Sequence, residues 1–337
     1  MKRTVLPLVL MATSFLTGVA NAQTSSSTPV IGYYKQTIPP GNTPVVCGFT
    51  TKKEFQGAMT SHAPGAPNSV ITQTGAGWTV NQFQTSANPA VDSSHFIEIL
   101  SGPAASVGMI YDIVSNTATT VTVEGSTTPL TGAITYCIRK HVTLGTLLPG
   151  GGGLTNGSDS ISVVNPNASI SNYVFNGLYW EDSGSGDDSS NRVIYPGQGF
   201  IIGRGGATPA TITIGGNEVS YVKSGVTKIP LYYHAGNPYR NFVGLINPLV
   251  SDTAGTDFNT LGNFGLVAGL VAGSDLINII TTSGNFKTSA TLTSNGLYLE
   301  DVGSGDDGSN IQIRNGTSFR IITTADRVIT IPQTHPN

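Results

Sequence analysis

The chain is short of charge. Only 10% of its 337 residues are Asp, Glu, Lys or Arg, and 19 acids against 16 bases leave a formal net charge of −3. A helical cytosolic protein carries about 25% charge, much of it Lys and Glu on helix surfaces. The balance therefore weighs against a helical bundle and against a doubly wound α/β fold. It supplies no basic stripe to follow a phosphate backbone, which argues against a nucleic-acid partner. Cysteine is scarce as well: Cys47 and Cys137, 90 positions apart, are the whole supply, too few for a structural zinc site. Beyond the first 22 residues no run of 18 apolar residues occurs, so no transmembrane helix is expected. The signatures of common hydrolases are missing too. There is no Gly-x-Ser-x-Gly elbow, and the five histidines (His62, His95, His141, His234, His335) show no metal-ligand spacing. His141, beside Arg139 and Lys140, reads as a solvated strand end. Ser220-Tyr-Val-Lys223 has a Ser-x-x-Lys spacing. That chemistry needs a helix to bring the lysine beside the serine, and this stretch reads as a strand.

What the chain has in quantity is Gly (42), Thr (42), Ser (32) and Asn (24), with 38% hydrophobic residues including 12 Tyr and 12 Phe. That is enough apolar surface for a core, and the small polar residues suit turns. Short alternating apolar runs are separated by Gly, Pro, Asn and Asp: His95–Leu100, Thr119–Glu124, Ala133–Ile138, Ala210–Ile214 and Arg327–Ile331. This pattern predicts an all-β chain. The best helical candidates are Lys52–Met59 and Leu261–Ala272, the second weakened by its glycines.

The first residues read as an export leader. Lys2 and Arg3 precede an apolar stretch, Thr4–Ala20, and Ala20-Asn21-Ala22 is a small-x-small cleavage site of bacterial type. Its removal would take two positive charges from the chain. The destination implied is periplasmic, cell-surface or extracellular. In such an oxidising compartment Cys47 and Cys137 have two alternatives. One is a disulfide closing a loop of about 90 residues, worth roughly 4–5 kcal/mol. The other is a pair of buried free thiols acting as small hydrophobes.

An internal repeat organises the rest. Residues 176–191, NGLYWEDSGSGDDSSN, and 295–310, NGLYLEDVGSGDDGSN, agree at 13 of 16 positions with an offset of 119. Ile194, Phe200 and Ile202 then align with Ile313, Phe319 and Ile321, and Gly157–Val164 parallels Gly273–Ile280. The chain divides into a leader (1–22), a polar linker (23–29), a first β module (30–228) carrying an insertion (50–138), and a second β module (229–337). Each module is expected to be a β-sandwich or partial barrel. In each repeat, Leu178 and Trp180 (Leu297 and Leu299) are assigned to one strand face, with Tyr179 and Glu181 on the other. The GSGDD segment is read as a turn, and the Gly150–Gly153 run as a linker.

Scattered motifs carry a resemblance. They are His95–Leu100 with Gly102, Tyr111-Asp-Ile113, Asn116-Thr117, Thr120–Val123, Ile138-Arg139, Thr143–Leu147 and Tyr195-Pro-Gly-Gln-Gly-Phe-Ile-Ile202. In these the chain resembles a family of uncharacterised exported proteins found as many paralogues in Verrucomicrobia and related bacteria. Val142 departs from the aromatic expected there. The resemblance implies an exported β-rich protein and assigns no activity.

Clustered oxygens on glycine-rich loops suit Ca²⁺, a hard cation taking 6–8 oxygen ligands. Asp182, Asp187 and Asp188, with their counterparts Asp301, Asp306 and Asp307, are therefore the candidate metal ligands. The competing reading is a turn whose carboxylates cap backbone N–H groups. A glycosidase pair on the same loops has a poor platform, because glycine-flanked loops do not preorganise carboxyls. No other catalytic or cofactor-binding residue is assigned. Trp78, Trp180, Tyr179, Tyr232 and Tyr233 are candidates for a sugar-stacking surface, although the exchange of Trp180 for Leu299 between repeats favours core packing for that pair. The function expected is a non-enzymatic exported protein with a structural or matrix role. Its partners would be envelope or matrix components or further copies of itself. Glycan binding is the alternative and hydrolysis the residual.

Overall fold

The computed structural model describes residues 31–84, 94–167, 169–218, 225–233, 241–244, 258–280, 288–314, 316 and 318–332. The leader, the polar linker, Ser220, Lys223, His234 and His335 lie outside the described residues. The protein is all-β: among those residues antiparallel sheets dominate, none of them closes into a barrel, and helix is confined to single turns.

One five-stranded sheet has the order Trp180–Asp182, Ile170–Phe175, Ser160–Val164, Gly199–Arg204, Gly41–Val46. Over it lies a two-stranded ribbon of Ile31–Ile38 with Ala210–Glu218. Alternate residues turn inward, as the two-residue period of a strand requires. Ile161, Val163, Phe200 and Ile202 from the sheet meet Ile38, Ile212 and Ile214 from the ribbon, and the helical turn Leu144–Leu147 closes one side. Thr143 caps that turn, exchanging hydrogen bonds with Thr146.

The second five-stranded sheet repeats this order with Leu299–Asp301, Thr288–Ser294, Leu276–Ile280, Ser318–Ile322 and Asn241–Gly244. Its ribbon is Val226–Leu231 with Arg327–Pro332. The registers correspond: Ile161 opposite Ile202 matches Ile277 opposite Ile321, and Phe175 opposite Trp180 matches Ser294 opposite Leu299. Buried aspartates recur in the same role. Asp159 accepts hydrogen bonds from the N–H of Thr155 (2.7 Å) and Gly205 (3.0 Å), and Asp275 from those of Val271 (2.8 Å) and Thr324 (2.9 Å). Each carboxylate is also ion-paired, to Arg204 and Arg327 respectively.

The two units meet through their inner edges. The Val46 N–H donates to Gly316 O at 3.1 Å, and the Gly244 N–H donates to Gly197 O at 3.2 Å. Val46 and Gly244 hold equivalent register positions, as do Gly197 and Gly316, so equivalent residues exchange equivalent bonds. That reciprocity is the pattern of an isologous two-fold interface. Gly199 and its counterpart Ser318 face each other there. A Cβ on Gly199 would stand 2.9 Å from that of Ser318 and 2.7 Å from that of Phe242, so only glycine fits.

Seven strands between Lys53 and Lys140 form a third sheet, ordered Lys53–Ala58, Thr135–Lys140, His95–Ser101, Ile110–Asn116, Thr120–Glu124, Asn68–Thr72, Ser61–Ala63. One face carries the core of Ile97, Ile99, Tyr136, Ile138, Trp78 and Phe83. The other carries a buried polar pair, with Arg139 Nε donating to Glu98 at 2.7 Å. Arg139 also donates to Thr51 O, which ties this face to the first module.

Several sequence expectations need correcting. Lys53–Ala58, within the first helical candidate, is a strand, because it edges the seven-stranded sheet and pairs with Thr135–Arg139. The second candidate is two separate helical turns, Leu261–Phe264 and Leu266–Gly269, parted by Gly265 at φ 67°. Leu178 and Leu297 are not on the core face. They are 87% and 86% exposed, whereas Trp180 and Leu299 are 1% and 0%. The reason is an Asx turn: Asn176 Oδ1 accepts from the N–H of Leu178 and Tyr179, as Asn295 Oδ1 does from Leu297 and Tyr298, so strand alternation begins only afterwards.

Candidate functional site

The repeated acidic loops are edge covers. Asp182 Oδ1 accepts from the Gly184 and Ser185 N–H groups, and Asp188 Oδ1 from Ser190. Asp301 and Asp307 do the same in the second copy. The loop folds back so that Asp188 bridges Glu181, and Asp307 bridges Glu300, on the outer edge of each sheet. An edge strand left open invites pairing with another chain, and charged folded-back loops obstruct it. The N–H groups of Asp187 and Asp306 donate to the hydroxyl oxygens of Ser185 and Ser304. Among the described residues no group of three or more His, Cys, Asp or Glu is placed to hold a metal ion.

The cysteines do not pair. Cys47 and Cys137 are both buried free thiols. Cys47 sits in the first module's core. Cys137 lies on the polar face of the seven-stranded sheet, its thiol 3.5 Å from Glu98. The sequence alternative of a disulfide is thereby corrected: the two side chains belong to different packing units. Burial pushes the Cys47 thiol up to about 11 and the Cys137 thiol up to about 12.

The aromatic candidates separate. Trp78 and Trp180 are core residues, and Trp180 donates its indole N–H to Leu148 O at 3.1 Å. Tyr232 and Tyr233 remain partly exposed, and Tyr232 leads to the site that sequence reasoning missed. Where the three sheets meet there is a cleft of about 420 Å³. Its walls come from Ile110–Asp112 and Glu124 of the insertion, from Arg192, Tyr195 and Gln198 of the first module, and from Lys228–Tyr232 and Asn241–Val243 of the second. The volume lies in the range of small-molecule sites.

Its tyrosines are held in place by amides. Gln198 Oε1 accepts the Tyr195 N–H at 3.0 Å. Asn241 accepts the Tyr232 N–H at 2.9 Å and donates to Tyr232 O at 3.0 Å. The Tyr195 hydroxyl donates to Asp112 Oδ2 at 2.5 Å, which joins the insertion to the first module. Behind this pair, His141 is fully buried between the rings of Phe96 and Tyr195. Its Nε2 stands 3.0 Å from Asp112 Oδ1, off the line of a good hydrogen bond. The solvated strand end expected for His141 is therefore a correction: the insertion sheet and Tyr195 close over it. Burial first, then Asp112, pushes the Tyr195 phenol far above its ordinary range. Burial, Asp326 and Asp112 raise Tyr232. Both phenols stay neutral, able to offer hydrogen bonds and ring faces. No signal within one stretch of sequence could have found the site, because Asp112 and Tyr195 are 83 positions apart.

No helix among the described residues is long and apolar enough to cross a membrane. Comparison with protein-family models, curated proteins and solved structures returned no match.

Proposed function

We propose that this is an exported binding protein that holds a saccharide in the cleft between its three sheets. The observation that carries the reading is the pair of partly exposed, amide-anchored tyrosines, Tyr195 and Tyr232, in one concave site. Sugar rings present C–H faces that stack on aromatic rings and hydroxyls that need polar partners. Tyrosines whose backbone is held by Gln198 and Asn241, with carboxylates nearby, offer both. Export follows from the leader, whose features are those of a secretory signal. No catalytic step belongs to the reading, in which the Asp112 carboxylate serves to accept the Tyr195 hydroxyl.

A structural role at the cell surface is the second reading. It is favoured by Leu178 and Leu297, which project nearly bare from equivalent turns of the two repeats. The covered sheet edges weigh against self-association through strands, so this reading uses the leucine tips instead. Glycan-array binding of the full chain, with Tyr195→Ala and Tyr232→Ala as controls, decides between them. Selective binding lost in both variants supports the cleft. An empty array, with sedimentation showing assemblies that Leu178→Ser and Leu297→Ser dissolve, supports the surface role.

A further inference from the structure

The charges of the cleft carry the reading one step further, to the class of saccharide. Charge is rare in this chain, and elsewhere its buried cations are matched. Arg139 pairs with Glu98, Arg204 with Asp159 and Arg327 with Asp275. Arg192 and Lys228 line the cleft and belong to none of the ion pairs among the described residues. One guanidinium nitrogen of Arg192 donates to Asn165 Oδ1 at 2.5 Å, and its Nε is shut from solvent without an acceptor. That Nε is out of a ligand's reach, but Arg192 is only half-buried and lines the cleft, so its terminal N–H groups are what it can offer a carboxylate there.

We infer that the ligand is a saccharide bearing a carboxylate, a uronic acid unit, whose negative group lies against Arg192 and Lys228 while the ring rests on Tyr195 and Tyr232. The proposal rests on the saccharide reading of the cleft. A singly charged carboxylate fits better than a doubly charged phosphate ester because Asp112 and Glu124 also line the cleft. Those two would repel a doubly charged anion, and Glu124 is free to accept hydrogen bonds from sugar hydroxyls. Glu124 acts electrostatically on Tyr195, so the acidic wall and the stacking ring are close together.

The test is calorimetric titration of the full chain with trigalacturonate and with a neutral galactose trisaccharide, at low and high salt, with inorganic sulfate as competitor. The uronate is expected to bind about tenfold tighter or more, the worth of one charge-assisted hydrogen bond, and added salt should shrink that preference. Arg192→Gln and Lys228→Gln should bring the two ligands toward equal affinity while leaving neutral binding in place. Arg192→Lys, which keeps the charge but not the fork, should fall between. Tyr195→Ala should remove both. Equal binding of neutral and acidic sugars by the unaltered chain overturns the inference and leaves the saccharide reading standing. Displacement of the uronate by sulfate at equal concentration also overturns it. Failure of every sugar to bind overturns the reading beneath it. Should Arg192→Gln fail to fold, Lys228→Gln and the salt dependence decide alone.

Discussion

Raising the pH should unfold this protein through four groups that refuse to ionise. Cys47, Cys137, Tyr111 and Tyr136 are at most 5% exposed. Burial raises all four: Cys47 from 9.0 to about 11, Cys137 from 9.0 to about 12, Tyr111 from 10.0 to about 12, and Tyr136 upward in the same direction. An acid with a raised folded pKa keeps its proton in the native state after the unfolded chain has lost it. Its share of stability is whole below the unfolded pKa and fades as pH climbs toward the folded one. From about pH 9 the two thiols should remove roughly 1.4 kcal/mol each per pH unit, or ~2.7 together. Above about pH 10 the two tyrosines double that slope to ~5 kcal/mol per unit. A domain holding about 5–10 kcal/mol therefore fails within one to two further units. The measurement is the urea midpoint at pH 7, 9, 10 and 10.5, with a thiol reagent added to native and denatured chain without reductant. Native protein should be unreactive and denatured protein should expose two thiols. A midpoint unchanged between pH 9 and 10, together with no thiol on denaturation, would refute the free-thiol assignment and restore the disulfide.

Three further outcomes follow from the packing. Asp159→Ala should cost about 3–5 kcal/mol, because it leaves the largely buried Arg204 without its partner, and Asp275→Ala should cost a similar amount in the second module. Asp188→Ala, on the exposed loop, should stay within about 1 kcal/mol by the same denaturation assay. At acid pH the Asp159 share should disappear. Burial opposes its charge, but the Thr155 and Gly205 N–H groups and Arg204 outweigh burial and hold its carboxyl below the ordinary range. That stability is present above the usual carboxylate pKa and is lost as pH falls through the lowered one. Gly199→Val should cost roughly 1–3 kcal/mol by overpacking the inter-module contact, and it should weaken ligand binding in the same preparation. Thermal melts with Ca²⁺ and with chelator should coincide, since each of Asp182, Asp188, Asp301 and Asp307 already spends an oxygen on its own turn. A midpoint raised by Ca²⁺ would show a bound ion.

Much of the framework was legible because strands write themselves at a period of two. Thr120–Glu124 and Arg327–Pro332 are alternating runs bounded by turn residues. The duplicated GSGDD loops were legible as turns because glycine and Asx chemistry is local. Two things were not. Lys53–Ala58 looked helical on its own residues, and pairing with a strand some 80 positions later overrode that preference. The cleft depends wholly on such distant pairings. Tyr111–Ile113 and Tyr195–Ile202 each stood out as a motif, but nothing in either says that Asp112 and Tyr195 will touch. His141 read as solvated because its neighbours Arg139 and Lys140 are charged, yet Arg139 itself is buried against Glu98.

Twin halves joined in a single polypeptide have a liberty denied to two identical subunits: one may be altered while its mate is left alone. Here the chain between Gly41–Val46 and Val142–Thr143 holds a sheet of its own, whereas the matching stretch between Asn241–Gly244 and Phe258–Thr260 is only residues 245–257. The symmetric contact supplies a rigid floor, and the added sheet raises a wall on just one side of it. Descendants of such a chain could exchange that wall, and with it the lining of the cleft, without redesigning the foundation.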